Sequence, residues 1–194
     1  GGKRLGSFAA YIEPHHPDIM SFLELRRSHG DENLRTRDLF LALWISDLFM
    51  KRVKNDGQWS TFDPDECPML SDTYGDEYEK LYHKYESEGK SRITFRARDI
   101  WSAIFYLQKE SGLPYILYKD SINRHNNQSN MGIIKSSNLC CEITIHSNKD
   151  EYGTCVLNSI CLPKFVKDSY TEDELKDQID TNHKRELNHE YPVN

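Results

Sequence analysis

Five consecutive residues near the middle of the chain, Asn138-Leu139-Cys140-Cys141-Glu142, bring together side chains that can do chemistry. In an extended segment side chains alternate between two faces, so Asn138, Cys140 and Glu142 would point the same way. An amide, a thiol and a carboxylate would then surround one small volume. Such a thiol can be a nucleophile, a metal ligand or a group that abstracts hydrogen in a one-electron step, and the spacing leaves all three open.

The composition limits the class of protein. The 194 residues carry a formal net charge of −6 and no basic stripe, which argues against DNA or RNA as the main partner. No apolar run approaches the length of a membrane span, so no membrane partner is expected. The five cysteines are odd in number in a chain that is not small, which argues against a disulfide scaffold and favours a reducing, cytoplasmic compartment. They include no CxxC pair, which argues against a zinc ribbon or finger. No metal site is expected.

Apolar spacing predicts strands that alternate with longer helices. Strands are expected at residues 7–13, 114–118, 143–145 and 154–157, and helices at residues 17–30, 32–54, 76–88 and 98–110. Polar residues 120–130 predict turns, and Thr171 with Glu174 predicts a capped helix start. This order is typical of α/β architecture with parallel strands, in which chemistry lies on loops at strand ends.

Six segments together resemble the large, catalytic subunit of class I ribonucleotide reductase. In chain order they read GGKRLGSFAAYIEPHHPDI, RTRDLFLALWISDLFMKRV, DECPML, PYILYKDSINRHNNQ, SSNLCCEI and GTCVLN. The resemblance covers residues 1–166, while residues 167–194 are expected to be a polar insertion or an incomplete tail. Because the chain opens on Gly1-Gly2 without an initiator Met, it is expected to be the inside of a longer protein.

The resemblance implies a fold and a reaction. The family's fold is a ten-stranded α/β barrel with a central finger loop that carries a radical cysteine, and this chain would supply a central part of it. The reaction is the thiyl-radical conversion of ribonucleoside diphosphates to deoxyribonucleoside diphosphates for DNA precursor synthesis. The isolated chain is expected to be inactive.

The resemblance also assigns roles to single residues. Cys140 matches the cysteine that becomes a thiyl radical and takes the 3′-hydrogen of the substrate. Glu142 matches the general base at the 3′-hydroxyl, and Asn138 matches the amide that hydrogen-bonds the substrate hydroxyls. Cys155 matches one member of the redox pair that ends as a disulfide, with its partner expected upstream of Gly1.

Lys3 and Arg4 match the specificity loop that links the nucleotide effector site to the substrate base. Three positions depart from the family pattern. Leu5 stands where Pro is common, His15 stands where Trp is usual, and Cys141 is unusual beside the radical position.

The cofactors and partners follow from the same resemblance. No cofactor is expected on this segment, whereas the full protein would bind the effectors ATP, dATP, dTTP and dGTP with Mg²⁺. The radical would come from a metal-containing small subunit. The other expected partners are a second large subunit in a homodimer, nucleotide substrates, and thioredoxin or glutaredoxin as the reductant. An adenosylcobalamin-dependent reductase and an inactive fragment or regulatory paralogue remain as alternatives.

Overall fold

The computed structural model describes residues 2–3, 5–165 and 171–177. The chain divides into two compact units, Gly1–Thr154 and Cys155–Asn194. The expected domain boundary after residue 166 falls among residues outside the described part of the chain. The α/β class and the parallel strands predicted from the sequence are confirmed in the first unit.

The regular elements of the first unit alternate between strands and helices. They are β1 Ala9–Ile12, α1 Ile19–Glu24, β2 Phe40–Ile45, α2 Asp47–Lys54, β3 Gln58–Ser60, α3 Gly75–Ser87, β4 Thr94–Arg96, α4 Ala97–Ser111, β5 Tyr115–Tyr118 and α5 Lys119–Arg124. Two short 3-10 helices, Glu32–Leu34 and Leu70–Asp72, lie in the connections.

A three-stranded parallel sheet lies at the centre of this unit. Its strand order is β1-β2-β5, with Tyr11 paired to Ala42 and Leu43 paired to Ile116. The strands β3 and β4 form a separate antiparallel pair. Because β2 is flanked on both sides, nearly all of its residues are buried.

The central strand β2 faces two hydrophobic clusters. Leu43 and Ile45 belong to the larger cluster, which also includes buried residues of α2, α3 and α4. Ala42 and Trp44 belong to a smaller cluster with Leu117 and Ile134. Successive side chains of a strand point to opposite faces, so β2 places one face under the helices and the other under the loops after α5.

The helix predicted over residues 32–54 is wrong. The segment instead contains a 3-10 turn, the strand β2 and the helix α2, which Ser46 caps by accepting a hydrogen bond from the Phe49 amide at 3.3 Å. A strand buried on both faces is apolar at every position, so it also satisfies the spacing of three and four that indicates a helix. The boundary signal was Ser46, a favoured N-cap residue.

Three other predictions are corrected, and two are confirmed. The turns predicted over residues 120–130 are helical at their start, since α5 extends to Arg124, and residues 143–145 and 154–157 form no strand. The helix α4 ends at Ser111 and is capped by Gly112, as predicted, with a φ of 75° that is favourable for glycine. In the second unit a 3-10 helix spans Leu162–Phe165, and Thr171 and Glu174 form the predicted capping box before a helix at residues 172–177.

Candidate functional site

The three parallel strands end at one edge of the sheet, and polar residues follow each of them. Glu13 follows β1, Ser46 follows β2, and Lys119 with Asp120 follows β5. The carboxyl ends of parallel strands are where α/β proteins place their chemistry. We call the buried polar group at this edge, consisting of Glu13, His15, Tyr78, Lys119 and Asp120, the strand-end network.

An ion pair between Glu13 and Lys119 is the centre of the strand-end network. The Lys119 Nζ lies 2.8 Å from the Glu13 Oε2 and also donates to the Leu70 carbonyl oxygen at 2.8 Å. The Lys119 side chain is fully buried, and its Nζ lies 4.7 Å from the centre of the Tyr78 ring. Burial raises the pKa of the Glu13 carboxyl above its usual value, and the Lys119 ammonium opposes that rise.

His15 lies inside this network, at the position where the family resemblance expected Trp. Its Nδ1 lies 3.0 Å from the Tyr78 hydroxyl and 3.6 Å from the Glu13 Oε2. Burial, together with the charge of Lys119, lowers the pKa of the His15 imidazole well below its usual value. The ring is therefore neutral at neutral pH, which is compatible with its position beside an ammonium group.

Asp120 connects the network to two helices. One carboxylate oxygen accepts a hydrogen bond from the Asp47 amide at 2.5 Å, at the first residue of α2. The other accepts from the Gly75 amide at 2.6 Å, at the first residue of α3. A carboxylate at a helix N-terminus satisfies free amides and is favoured by the helix dipole. One side chain therefore holds the starts of both helices at the strand ends.

A cavity of about 410 Å³ opens beside the strand-end network. Tyr11, Glu13, His15 and Trp44 are among its lining residues, as are Asp72 and Lys135, which form an ion pair. Its volume lies within the usual range for small-molecule pockets. The cavity thus extends from the strand-end network to Tyr11.

Residues 138–142, which we call the cysteine turn, are not extended. The Cys141 amide donates to the Asn138 carbonyl oxygen at 3.4 Å, and Cys141 has a φ of 69°. This positive φ reverses the chain, so the predicted alternation of side chains along an extended segment is wrong. The turn nevertheless brings two of the three predicted groups together, because the Asn138 Nδ2 donates to the Glu142 Oε1 at 2.7 Å.

The Asn138 side chain also organises the backbone of the cysteine turn. Its Oδ1 accepts a hydrogen bond from the Ile143 amide at 3.2 Å. The Ser137 hydroxyl lies 3.2 Å from the same Oδ1 and donates its one hydrogen to the Ile143 carbonyl oxygen at 2.5 Å. With its Nδ2 on Glu142, the Asn138 side chain uses both of its ends within six residues. The orientation of the Glu142 carboxylate therefore depends on the position of Asn138.

The two adjacent cysteines lie in different environments. Cys140 is exposed, whereas Cys141 is half-buried and packs against the smaller hydrophobic cluster. The Cys141 Sγ lies 3.4 Å from the Tyr11 hydroxyl, which also donates to the Asn138 carbonyl oxygen at 2.8 Å. Burial and the nearby Cys141 thiol raise the pKa of Tyr11 above its usual value, so its hydroxyl stays protonated at neutral pH.

Cys155 belongs to the second unit, where it is exposed and carries a free thiol. All five cysteines are free in this structure.

The predicted specificity-loop residues lie at the start of the chain. Lys3 is exposed, and Arg4 lies outside the described residues. The segment that follows, residues 5–8, lines an open cleft of about 800 Å³ together with Arg26, Arg35 and Arg37.

Neither a metal cluster nor a membrane span occurs in the described part of the chain. Within residues 2–3, 5–165 and 171–177, no group of three or more His, Cys, Asp or Glu side chains is placed to hold a metal ion. Among the same residues, no helix is both long enough and apolar enough to cross a bilayer.

The sequence interpretation missed the groups that support the cysteine turn and the strand-end network. Tyr11 appeared as one apolar position of a buried strand, and Lys119 lay between the strand predicted at residues 114–118 and the polar residues 120–130. A Tyr at the carboxyl end of a parallel strand, and a Lys directly after another, were signals that could have been used.

Comparison with known proteins gives one family. The family model described as "Ribonucleotide reductase, barrel domain" matches residues 1–188. The chain is 58% identical over 166 residues to a ribonucleoside-diphosphate reductase large subunit of Plasmodium falciparum, covering 86% of this chain and 21% of that protein. It is 55% identical over 168 residues to the large subunit of Arabidopsis thaliana, and 53% identical over 168 residues to that of vaccinia virus. Each match covers 87% of this chain, with 21% of the plant protein and 22% of the viral one.

Proposed function

This chain belongs to the ribonucleotide reductase family through the barrel domain, and we propose that it supplies a central part of the catalytic barrel of a large subunit that reduces ribonucleoside diphosphates. The chain spans about a fifth of the length of these curated relatives. The observation that carries the proposal is the cysteine turn, which holds an exposed thiol between an amide and a carboxylate that are hydrogen-bonded to each other.

Cys140 is the proposed thiyl-radical residue. A thiyl radical formed there would take the hydrogen from the 3′ carbon of the ribose, and the bond of sulfur to hydrogen is weak enough for this exchange to be reversible. Its exposure in the turn supports access to a substrate, and no competing hydrogen-bond partner holds its thiol among the described residues.

Glu142 is the proposed general base for the 3′-hydroxyl proton, and Asn138 the proposed amide that binds the substrate hydroxyls. A general base must be held within hydrogen-bond reach of the proton that it accepts. The 2.7 Å hydrogen bond from Asn138 occupies one carboxylate oxygen of Glu142 and leaves the other available. This supports an arrangement in which Asn138 orients both the base and the substrate.

Cys155 is proposed as one member of the redox pair. In the overall reaction the 2′-hydroxyl leaves as water, the 2′ carbon gains hydrogen, and two thiols are oxidised to a disulfide. The second thiol would come from another part of the full-length subunit, and thioredoxin or glutaredoxin would reduce the disulfide. The free, exposed state of the Cys155 thiol is compatible with this role.

The finer fold is also a proposal. The parallel order β1-β2-β5 supports a larger α/β barrel of ten strands, with the cysteine turn at the tip of its finger loop. Residues 1–166 would belong to this barrel and residues 167–194 to a polar insertion.

The proposed effector function rests on the start of the chain. Lys3 and Arg4 would transmit the binding of ATP, dATP, dTTP or dGTP with Mg²⁺, elsewhere in the full protein, to the substrate base. The neighbouring cleft is lined by Arg26, Arg35 and Arg37. Their positive charge attracts nucleotides, which are negatively charged.

The proposed partners are a radical-generating, metal-containing small subunit and a second large subunit. The names of the matched relatives include "large subunit" and "large chain". Those names favour a two-subunit reductase over one that depends on adenosylcobalamin.

A Cys140→Ser substitution in the full-length large subunit tests the proposal. With the small subunit and a dithiol reductant present, we expect deoxynucleotide formation to be abolished while nucleotide binding persists, because a serine hydroxyl does not form an accessible radical. Cys161→Ser, which changes another exposed thiol, is the matched control and should retain turnover. Appreciable product from the Cys140→Ser protein would refute the proposed function and favour an unrelated or regulatory role.

A further inference from the structure

The hydroxyl of Tyr11 connects the parallel sheet to the cysteine turn. It donates to the Asn138 carbonyl oxygen at 2.8 Å and lies 3.4 Å from the Cys141 Sγ. A phenol has one hydrogen to donate, so with that hydrogen on Asn138 the Cys141 thiol is the donor to the Tyr11 oxygen. The result is a hydrogen-bond chain from Cys141 through Tyr11 to Asn138.

The Tyr11 ring is held on a rigid support. Tyr11 lies within β1, in register with Ala42 of the central strand. Its ring packs edge-on against Trp44, with 6.2 Å between the ring centres, and Trp44 is 1% exposed. The hydroxyl is therefore fixed by the sheet and does not depend on the conformation of the loop.

Hydrogen bonds among Ser137, Asn138 and Ile143 fix the internal shape of the cysteine turn, but they join neighbouring loop residues and not the turn to the sheet. The turn's own closing hydrogen bond, from the Cys141 amide to the Asn138 carbonyl oxygen, is long at 3.4 Å. Asn138 accepts from Tyr11 through its backbone and holds Glu142 through its side chain. A shift of this carbonyl group would therefore move the amide and the carboxylate together, along with the intervening Cys140.

We propose that Tyr11 is a positioning residue, which aligns Asn138, Cys140 and Glu142 for the reaction through the chain Cys141–Tyr11–Asn138. This inference rests on the proposed function, because it concerns the geometry of the same turn. The Tyr11 ring packs against Trp44 and belongs to the fold of the sheet, whereas the Tyr11 hydroxyl fixes the position of the cysteine turn. Removal of the hydroxyl alone should therefore affect chemistry and leave the fold intact.

The first test is Tyr11→Phe in the full-length large subunit, assayed with the small subunit. We expect kcat to fall about fivefold to tenfold, the scale of one net hydrogen bond, with the KM for the nucleoside diphosphate unchanged. Tyr115→Phe is the matched control, since Tyr115 stacks on Phe40 and its hydroxyl makes no hydrogen bond within the described residues. It should behave like the wild type.

The second test changes position 141 in the wild-type protein and in the Tyr11→Phe variant. Serine at this position keeps a donor for the Tyr11 oxygen and alanine does not, so Cys141→Ser should retain a higher kcat than Cys141→Ala. In the Tyr11→Phe variant this difference should disappear, because the acceptor is gone. A purely structural role of Tyr11 would not remove a difference between Ser and Ala.

The outcomes separate the two hypotheses. If Cys140→Ser is inactive but Tyr11→Phe matches Tyr115→Phe in kcat, the positioning role is refuted and the proposed function stands. A rise in KM alone, or a Ser-to-Ala difference that persists in the Tyr11→Phe variant, would also refute it. Product formation by Cys140→Ser would refute the proposed function itself, whatever Tyr11→Phe does.

Discussion

Two groups of polar side chains, the strand-end network and the cysteine turn, are held in opposite ways. In the network Lys119 is fully buried and bonded to both Glu13 and a backbone carbonyl, and Asp120 accepts from the first residues of two helices. In the turn Cys140 and Glu142 are exposed, and Tyr11 provides the hydrogen bonds to the sheet.

The difference indicates that the strand-end network contributes to stability and the cysteine turn to the proposed chemistry. A buried charge must be paired and hydrogen-bonded or it destabilises the protein, so the strand-end network is constrained by the fold itself. The exposed turn carries no such penalty, and its geometry depends on a few specific contacts. Substitutions in the network should therefore affect stability, and substitutions in the turn should affect turnover.

The largest effect on stability is expected for Lys119→Met. It leaves the Glu13 carboxyl buried without its partner, and loss of one member of a buried pair costs about 3–5 kcal/mol. Amide hydrogen exchange of β1 and β2 in the full-length subunit measures the change. Lys51→Met, which removes an exposed ion pair with Glu79, is the matched control and should cost at most about 1 kcal/mol. If the β1 and β2 amides exchanged at equal rates in Lys119→Met and Lys51→Met, the buried ion pair would contribute no more to stability than an ordinary surface pair.

Glu142→Gln should give the next largest effect, and it should be confined to catalysis. Glutamine can still accept the Asn138 hydrogen bond but is not a base, so turnover should fall on the order of 10²-fold. Exchange of the β1 and β2 amides should not change. Glu151→Gln, at another exposed carboxylate, should retain turnover. A loss below about threefold for Glu142→Gln would point to a binding role.

The pH dependence of stability tests the buried histidine of the network. Because burial holds the pKa of His15 well below its value of about 6.5 in the unfolded chain, the unfolded state takes up the proton first as the pH falls. Stability due to His15 is thus fully present above about pH 6.5 and is lost as the pH falls below it, by at most about 1.4 kcal/mol per pH unit. Exchange of the β1 amides between pH 7 and pH 5 should therefore depend on pH less strongly in His15→Phe.

Glu13 acts in the opposite direction, so its contribution to the pH dependence of stability must be separated from that of His15. The raised pKa of Glu13 means that the folded state takes up a proton first, so a falling pH increases stability through this group. His15→Phe and Glu13→Gln, compared with the wild type, distinguish the two groups. A pH profile that His15→Phe leaves unchanged would show that His15 does not titrate in this way.

The smallest effect is expected for Ser46→Ala, at the junction between β2 and α2. Loss of this N-cap should cost about 1 kcal/mol and accelerate exchange of the α2 amides about fivefold. Ser102→Ala, at an exposed position within α4, is the control and should cause no loss of stability. If Ser46→Ala were equally neutral, the Asp120 carboxylate would be sufficient to hold the start of α2.

The sequence predicts local features of this fold better than distant contacts. Gly112 marks the end of α4 because glycine adopts a positive φ at low cost, and that signal needs only the local sequence. The strand β2 was predicted as helix because burial on both faces removes the polar positions that distinguish the two periods. The three chemical groups of the turn were identified by type, but the positive φ of Cys141 has no local signal such as glycine.

The contacts that hold the candidate site could not be predicted from sequence patterns. Tyr11 and Asn138 are 127 residues apart, and Glu13 and Lys119 are 106 residues apart. Such pairs form because parallel strands bring distant segments to one edge of the sheet. Without the strand order β1-β2-β5, neither pair can be inferred from spacing.

The two faces of β2 also have a consequence for folding errors. Leu43 and Ile45 pack under the helices, while Ala42 and Trp44 support the side that carries Tyr11 and the cysteine turn. A register slip of one residue in this strand would exchange the faces and disrupt both clusters at once. A misregistered molecule would therefore lose its core and its candidate site together, so partially folded but active species should not accumulate.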